Sequence, residues 1–321
     1  TPDPYAHWTL KEIHEQPTTV LNNINNGGRI LNEHEVKLGG LESMTPELQS
    51  VKHLILLGCG SSYNSALYGA DFMKQLCNFV TVQVIDAAEL RHSDLPRTTD
   101  LVGVILITQS GETKDLHRCL ELLHTTPSTK TITIGIVNVV DSLIAREVDC
   151  GVYCNSGIEV GVASTKSFMS QVVCLSLVAI WFAQKQCINK PIRTSIIKSL
   201  QNLSNDFTNT LLNVSSPIKE LSTTVLKDTK SMFILGKGCD KYIADESALK
   251  IKEISYIHTE SYSASSLKHG PFALLDANFP VIIINSEDEY NNKISSCYEE
   301  IKARNSPLIL ITNSLKKSTT N

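Results

Sequence analysis

Apolar and polar residues alternate along the chain in blocks, and these blocks predict strands and helices in turn. The apolar runs are short and unbroken, which is typical of parallel strands that are buried on both faces. The predicted strands cover 53–57, 80–85, 101–107, 131–137 and 151–154, and the predicted helices cover 63–76, 116–123 and 166–184. This order predicts a doubly wound α/β domain with a mainly five-stranded parallel sheet flanked by helices, at residues 46–190.

The stretch before this domain, residues 1–45, is polar, and we interpret it as an N-terminal lead-in that docks on the first domain. Its pattern predicts a helix at 10–15, an Asn-rich joint at 22–28 and a second helical piece just before Gly39-Gly40. Because the lead-in starts on a Pro-rich linker, we also expect that a further segment precedes it.

Residues 191–321 repeat the pattern of the first domain after two predicted linker helices at 192–203 and 207–221. A strand at 231–235 is closed by Gly236-Lys237-Gly238, as the strand at 53–57 is closed by Gly58-Cys59-Gly60. A helix at 242–255 and strands at 279–285 and 308–313 come next, with offsets of roughly 175 to 178 residues from the first block. The sequence therefore predicts a tandem duplication of one fold. We expect the second copy to be incomplete at its C-terminus, because a fifth strand and a long apolar helix are not reached.

Composition narrows the function classes. The chain has 321 residues, of which 42% are hydrophobic and 19% are charged, so it is globular. A net charge of -4 gives no basic field for nucleic acid or an anionic membrane.

The nine cysteines form no CxxC pair or Cys/His cluster, which predicts no metal site and a reducing cytoplasm. The apolar run at 172–183 is too short to span a bilayer, and the first residues lack a signal-peptide pattern.

Two turns after predicted strands combine glycines with hydroxyl side chains. A strand that ends in this way and leads into a helix directs N–H groups, hydroxyls and the positive end of the helix dipole at one point, which suits a phosphate. The candidate binding residues are Ser61, Ser62, Thr108, Gln109, Ser110 and Thr113. A tight turn or a helix cap without a ligand remains an alternative. A dinucleotide site is disfavoured, because Tyr63 stands where the third glycine of that fingerprint belongs.

Two further stretches carry candidate chemistry. Val162 and Ser164 lie just before the long apolar helix, where a ligand contact and simple helix capping are equally compatible with the residues. Farther on, Glu246, Lys250 and Glu253 share one helix face, and His269 lies on a Gly- and Pro-containing turn. A carboxylate and an imidazole at one small site can transfer protons beside a carbonyl, although a solvated face with salt bridges has the same pattern.

Several motifs together resemble the isomerase half of the glutamine–fructose-6-phosphate amidotransferase family, which consists of two sugar isomerase (SIS) domains. They occur in the family's order from near the start of the chain to about residue 276. The matching runs are KEIHEQP at 11–17, CGSSY at 59–63, QSGET at 109–113, GVASTK at 161–166, ALKIKEISY at 248–256 and LKHG at 267–270.

This resemblance implies a reaction and a role for each candidate residue. Fructose 6-phosphate receives ammonia at C2, and the adduct isomerises to glucosamine 6-phosphate. Glu253 would move a proton between C1 and C2, Lys250 would lie beside it, and His269 would assist ring opening from the neighbouring subunit, which implies a homodimer. The phosphate would be bound by Ser61, Gln109, Ser110 and Thr113, with Thr108 where the family usually has serine. Ser62, Val162 and Ser164 would line the sugar.

The chain also departs from the family. Ser266 stands where the family has a glutamate. We expect the N-terminal glutaminase domain and the C-terminal tail, whose lysine takes part in ring chemistry, to be missing from this chain. Two alternatives therefore stay open: a non-catalytic SIS module that senses a phosphosugar, and an SIS isomerase or deglycase for another phosphosugar.

Overall fold

The computed structural model describes residues 1–126, 129–286 and 288–313, and it divides the chain into two compact units. The first unit is Thr1–Leu212 and the second is Asn213–Asn321. Each unit is built on its own parallel β-sheet, and a small antiparallel hairpin precedes the first sheet.

The lead-in contains a long first helix and a hairpin. The helix exceeds the predicted 10–15 at both ends, and the predicted helical piece before Gly39 is wrong, because residues 30–36 form the hairpin. Its turn is closed by Asn32, whose side-chain oxygen accepts a 3.0 Å hydrogen bond from the His34 N–H, a bond that competes with helix formation. The elements are α1 (Trp8–Asn23), β1 (Ile30–Asn32), β2 (Glu35–Val36), α2 (Gly39–Glu42) and α3 (Thr45–Ser50).

The main sheet of the first unit has the five parallel strands that the sequence predicts. Their order across the sheet is β4-β3-β5-β6-β7. The strands are β3 (Val51–Gly58), β4 (Thr81–Asp86), β5 (Leu101–Thr108), β6 (Thr131–Val137) and β7 (Cys150–Tyr153). The helices that cover them are α4 (Ser61–Leu76), α5 (Lys114–His124), α6 (Leu143–Glu147) and α7 (Lys166–Lys185).

Helix α7 is the central helix of the larger hydrophobic core. Among the described residues it alone is long and apolar enough to cross a membrane by length and composition, yet 89% of its most apolar window is buried inside the fold. It packs closely on α4 at Gly69, where an added Cβ would lie 2.8 Å from Leu175 Cδ1. The apolar run at 172–183, which the sequence suggests is too short to span a bilayer, thus lies within a longer helix that is buried in the core.

The second unit repeats this arrangement with four strands within the described ranges. Its sheet order, β9-β8-β10-β11, matches β4-β3-β5-β6 of the first unit strand for strand, which confirms the predicted tandem fold. The elements are β8 (Ser231–Gly236), α9 (Cys239–Ser255), β9 (His258–Ser263), β10 (Val281–Asn285), α10 (Asn291–Lys302) and β11 (Leu308–Thr312), and they come after α8 (Lys190–Thr223).

Three helices or strands that follow α7 differ from the sequence prediction. The two predicted linker helices are one 34-residue helix, α8, because an i,i+4 hydrogen bond of 2.7 Å from Asn202 to Asp206 supports the helix across the expected break. Strand β9 was not predicted, since five of its six residues are polar or histidine. Helix α10 was not predicted either, although its three buried residues, Ile294, Cys297 and Ile301, have the i, i+3, i+7 spacing of one helix face.

The glycine that ends β3 tests how tightly this fold packs. In Gly58→Ala the new Cβ would lie 2.7 Å from the carbonyl carbon of Ser62, so we expect a loss of about 1–3 kcal/mol in the free energy of unfolding. Urea denaturation followed by tryptophan fluorescence measures it, because both tryptophans, Trp8 and Trp181, lie in the first unit.

The matched control is Gly39→Ala, where an added Cβ meets nothing within 4 Å. We expect this variant to stay within about 1 kcal/mol of the parent chain. Equal stability of the two variants would contradict the close-packing interpretation.

Candidate functional site

The two hydroxyl-rich turns lie at the topological switch point of the first sheet, where successive strands begin to be added on the other side of β3. They follow β3 and β5, which are neighbours, while β4 lies beyond β3 and the strands after β5 continue the other way. Ligands of open α/β sheets bind in the crevice at the carboxyl ends of the strands at such a switch point. The topology therefore brings the predicted residues of both turns to one edge of the sheet.

The first turn depends on two glycines. Gly58 lets α4 approach the end of β3, and Gly60 precedes Ser61 with a φ of +54°, a conformation that disfavours other residues. In the second unit Gly236 approaches α9 in the same way, and Gly238 has a φ of +59°. Because the pair recurs with the same geometry, these glycines serve the strand-to-helix turn itself.

The second turn is organised by its own hydroxyl groups. The hydroxyls of Thr108 and Thr113 share a 2.9 Å hydrogen bond, and the Gly111 N–H donates to the Thr108 hydroxyl over 3.2 Å. The Glu112 N–H donates to the Ser110 hydroxyl over 3.1 Å. Thr108 is buried, whereas Gln109, Ser110 and Thr113 are half-buried at the start of α5. The turn thus places neutral polar groups at the positive end of a helix.

The structure adds one residue that the sequence analysis missed. Gln171 of α7 is buried, and its side-chain N–H donates to the Ser62 hydroxyl over 3.0 Å. Its oxygen accepts a 2.9 Å hydrogen bond from Ser65, which also donates to the Ser62 carbonyl. Gln171 therefore orients the first turn of α4. Its only signal in the sequence is a polar residue directly before the apolar run at 172–183.

In the corresponding turn of the second unit, a buried carboxylate lies at the start of the helix. Asp240 occupies the position in α9 that Ser62 occupies in α4, and it is buried. It accepts 2.8 Å and 2.5 Å hydrogen bonds from the N–H and the hydroxyl of Ser286, the residue that comes directly after β10. A phosphate there would lie beside the Asp240 carboxylate, so this turn is less suited to an anion than the two hydroxyl turns of the first unit.

Cysteine chemistry is not favoured at this site. Burial, followed by the negative charges of Asp86 and Asp115, raises the pKa of the Cys59 thiol to about 11, so the thiol is neutral near pH 7. All nine cysteines are free thiols. Within residues 1–126, 129–286 and 288–313, no three His, Cys, Asp or Glu side chains come together as metal ligands.

The remaining predicted residues of the first unit lie in the segment between β7 and α7. Val162 is fully exposed, and Ser164 is half-buried two residues before α7 begins. This segment starts at the carboxyl end of β7, which is two strands away from β5 in the sheet. It therefore lies at the same edge as the two hydroxyl turns.

The predicted charged face of α9 is present in the second unit. Lys250 Nζ lies 2.6 Å from Glu253 Oε2 and 3.4 Å from Glu246 Oε1. Glu246 is buried, whereas the Glu253 side chain is 36% exposed. The arrangement orients the more accessible carboxylate by an ammonium group while leaving it open to a ligand.

His269 lies on a separate turn of the same unit. The turn is anchored by Leu267, which is fully buried, and by a 2.9 Å hydrogen bond from the Phe272 N–H to the Leu267 carbonyl. The His269 side chain is exposed, and in the part of the chain that the structure describes it makes no hydrogen bond or ion pair. The structure therefore does not pair His269 with Glu253 or Lys250 of the same chain.

Comparison with known proteins identifies the family. The SIS domain family matches residues 47–181 and 225–321, one match in each predicted copy. The chain is 42% identical over 319 residues to a probable glutamine–fructose-6-phosphate aminotransferase of Acanthamoeba polyphaga mimivirus, covering 98% of this chain and 50% of the relative. It is 38% identical to the aminotransferase of Saccharomyces cerevisiae, covering 97% of this chain and 42% of that protein.

A solved structure supports the same assignment. The C-terminal domain of glucosamine-fructose-6-phosphate aminotransferase from Francisella tularensis superposes with a TM-score of 0.88 at 33% identity, covering all of this chain and 88% of that domain. The chain spans about half the length of the curated relatives named above. It belongs to the SIS domain family and is homologous to the C-terminal, isomerising part of the glutamine–fructose-6-phosphate aminotransferases.

Proposed function

We propose that this chain binds fructose 6-phosphate and performs the isomerisation by which the glutamine–fructose-6-phosphate aminotransferases form glucosamine 6-phosphate. The observation that carries the proposal is the turn after β5, which presents neutral hydroxyl and amide groups at the start of α5 and at the switch point of the sheet. The homology to isomerising aminotransferases selects the substrate.

The sugar phosphate binds to the two hydroxyl turns. Ser110, Thr113, Gln109 and Ser61 donate hydrogen bonds to the phosphate, and Thr108 supports the turn from beneath through its bonds to Thr113 and Gly111. Ser62, Val162 and Ser164 line the sugar. Hydroxyl and amide donors suit this role, because the helix dipole adds attraction for the anion at this point.

The second unit supplies the proton transfer. The Glu253 carboxylate removes a proton from C1 and returns it to C2, while the hydroxyl proton on O1 passes to the nitrogen at C2. C1 thereby becomes the aldehyde carbon, C2 carries the amine, and the carbon skeleton is unchanged. Lys250, 2.6 Å away, holds the carboxylate in place and offers a positive charge for the enediol-like intermediate. His269 assists ring opening at the active site of the neighbouring subunit in a homodimer, a role that its exposed imidazole permits.

The source of ammonia and the cellular compartment are inferred from the length of the relatives and from the cysteine content. Because the chain spans about half of its relatives, we propose that a separate glutaminase domain supplies the ammonia. Nine free thiols suit a reducing compartment, so we place the protein in the cytoplasm.

Thr113→Val tests the phosphate site, because valine keeps the shape and removes the hydroxyl. We expect the affinity for fructose 6-phosphate to fall about tenfold, as one hydrogen bond to a charged group is lost. Isothermal titration calorimetry measures this change. Thr99→Val, at an exposed threonine elsewhere in the first unit, is the matched control and retains the parent affinity. Parent-like binding by Thr113→Val would remove this turn from the site.

Glu253→Gln tests the catalytic base. We expect the interconversion of fructose 6-phosphate and glucose 6-phosphate to fall by roughly 10²–10⁴-fold while binding stays nearly intact, because glutamine cannot accept the proton. The readout is the exchange of the C1 and C2 hydrogens with deuterated water, followed by NMR. Glu299→Gln, at an exposed position of α10, is the control.

Two outcomes would contradict this part of the proposal. Normal turnover by Glu253→Gln would exclude that residue as the base. Binding of fructose 6-phosphate without any exchange in the parent chain would favour the non-catalytic phosphosugar sensor instead.

A further inference from the structure

Helix α1 carries a polar face that is buried in the first unit. Glu12, Thr19 and Asn23 are each less than 5% exposed, and their spacing of i, i+7 and i+11 places them on one side of the helix together with Glu15. Buried polar groups are costly unless they find hydrogen-bond partners. The side chains of Glu12, Glu15 and Asn23 all bond to the segment 154–170, which runs from the end of β7 into α7.

The Glu12 carboxylate binds the middle of this segment. Its Oε1 accepts hydrogen bonds of 2.6 Å from the Val160 N–H and 3.1 Å from the Gly161 N–H. Glycine permits this close approach: a Cβ on residue 161 would lie 2.5 Å from Glu12 Oε2 and 2.9 Å from Thr9 Oγ1, so the carboxylate would have to shift. The Glu12 carboxylate thus occupies the space that a side chain on residue 161 would need.

The same helix also holds both ends of the segment. At the start, the Asn23 side chain donates a 2.6 Å hydrogen bond to the Cys154 carbonyl. At the end, Glu15 Oε2 lies 2.6 Å from the ammonium group of Lys166, which is itself buried. Three side chains of α1 therefore contact the beginning, middle and end of the connection between β7 and α7.

The second half of the segment is also held by hydrogen bonds within the segment. Glu159 Oε1 accepts hydrogen bonds of 2.9 Å from the Thr165 N–H and 3.3 Å from the Ser167 N–H. Val162 and Ser164 lie between these anchors. Because the Val162 side chain is fully exposed, its position is set by the backbone at 160–161, which is the part that Glu12 binds.

We infer that α1 is a positioning element for the sugar-binding segment, and that Glu12 is its main positioning residue. Glu12 acts through the backbone of Val160 and Gly161 and sets where Val162 and Ser164 meet the sugar. The lead-in thus influences the binding site indirectly, through the backbone that it holds in place, and does not contact the ligand. The link to sugar binding rests on the proposed function, whereas the anchoring of the segment does not.

Hydrogen exchange in the whole chain tests the anchoring. In Glu12→Ala we expect the Val160 and Gly161 amides to exchange about tenfold faster or more, because each loses a charged acceptor. Exchange in β3 and β5 stays unchanged. Glu12→Gln, which keeps one oxygen acceptor, gives an intermediate rate, and the control Glu47→Ala, at an exposed site on α3, gives the parent rate. Parent-like protection of both amides in Glu12→Ala would overturn the inference.

A double-mutant cycle separates positioning from a general loss of stability. Gly161→Ala alone places a Cβ against the Glu12 carboxylate and disturbs its contact with the segment, while Glu12→Ala removes that carboxylate from the double variant. We expect the affinity for fructose 6-phosphate to fall in each single variant by about tenfold, and the double variant to bind no worse than the weaker single one. Additive losses would show that the two residues act independently, which contradicts the inference.

The two proposals can fail separately. If the parent chain does not bind fructose 6-phosphate, the proposed function fails, and the exchange rates of Val160 and Gly161 still decide whether Glu12 anchors the segment. If the parent chain binds the sugar and all Glu12 variants bind it equally well, the positioning role is excluded and the proposed function stands.

Discussion

The close contact between the end of a parallel strand and the start of the next helix is the constraint on which this structure depends. Gly58 leaves no Cβ between β3 and the first turn of α4, and Gly60 adopts the positive φ that starts the helix at once. The N-terminal amides of α4 therefore lie directly at the edge of the sheet. Because β5 is the neighbour of β3, its turn opens beside them, and the switch in strand order leaves a crevice between the two.

The two units share the backbone of the strand-to-helix turn but differ in the side chains that the turn carries. Both units have the same glycine pair and the same strand order, yet the helix start that offers Ser62 in the first unit carries the buried carboxylate of Asp240 in the second. One helix start thus carries neutral hydroxyl groups, whereas the other carries a carboxylate that accepts hydrogen bonds from Ser286. The second unit contributes instead the middle of α9, where the contact between Lys250 and Glu253 leaves a carboxylate oriented and accessible.

Buried polar contacts tie the lead-in to the first domain. A carboxylate such as Glu12, which is 1% exposed, has a cost of burial that its hydrogen bonds to two backbone amides offset. Such contacts are directional, so they specify one position for the segment between β7 and α7, which apolar packing alone does less strictly. Gln171 acts in the same manner on the turn of α4. Each hydroxyl turn and segment of the candidate site is therefore held by a polar side chain from elsewhere in the fold or by its own hydroxyls.

The sequence by itself determined the parallel strands, the duplication, the two hydroxyl turns and the shared face of Lys250 and Glu253, because all of these depend on local periodicity and turn chemistry. The sequence pattern did not reveal the hairpin at 30–36, the polar edge strand β9 or the continuity of α8, which the structure showed. The tertiary structure alone assigned partners to Glu12 and Gln171, whose hydrogen bonds join residues more than one hundred positions apart. A local pattern marks such residues as polar but does not say what they bind, since the partner is brought to them by the packing of α1, α4 and α7.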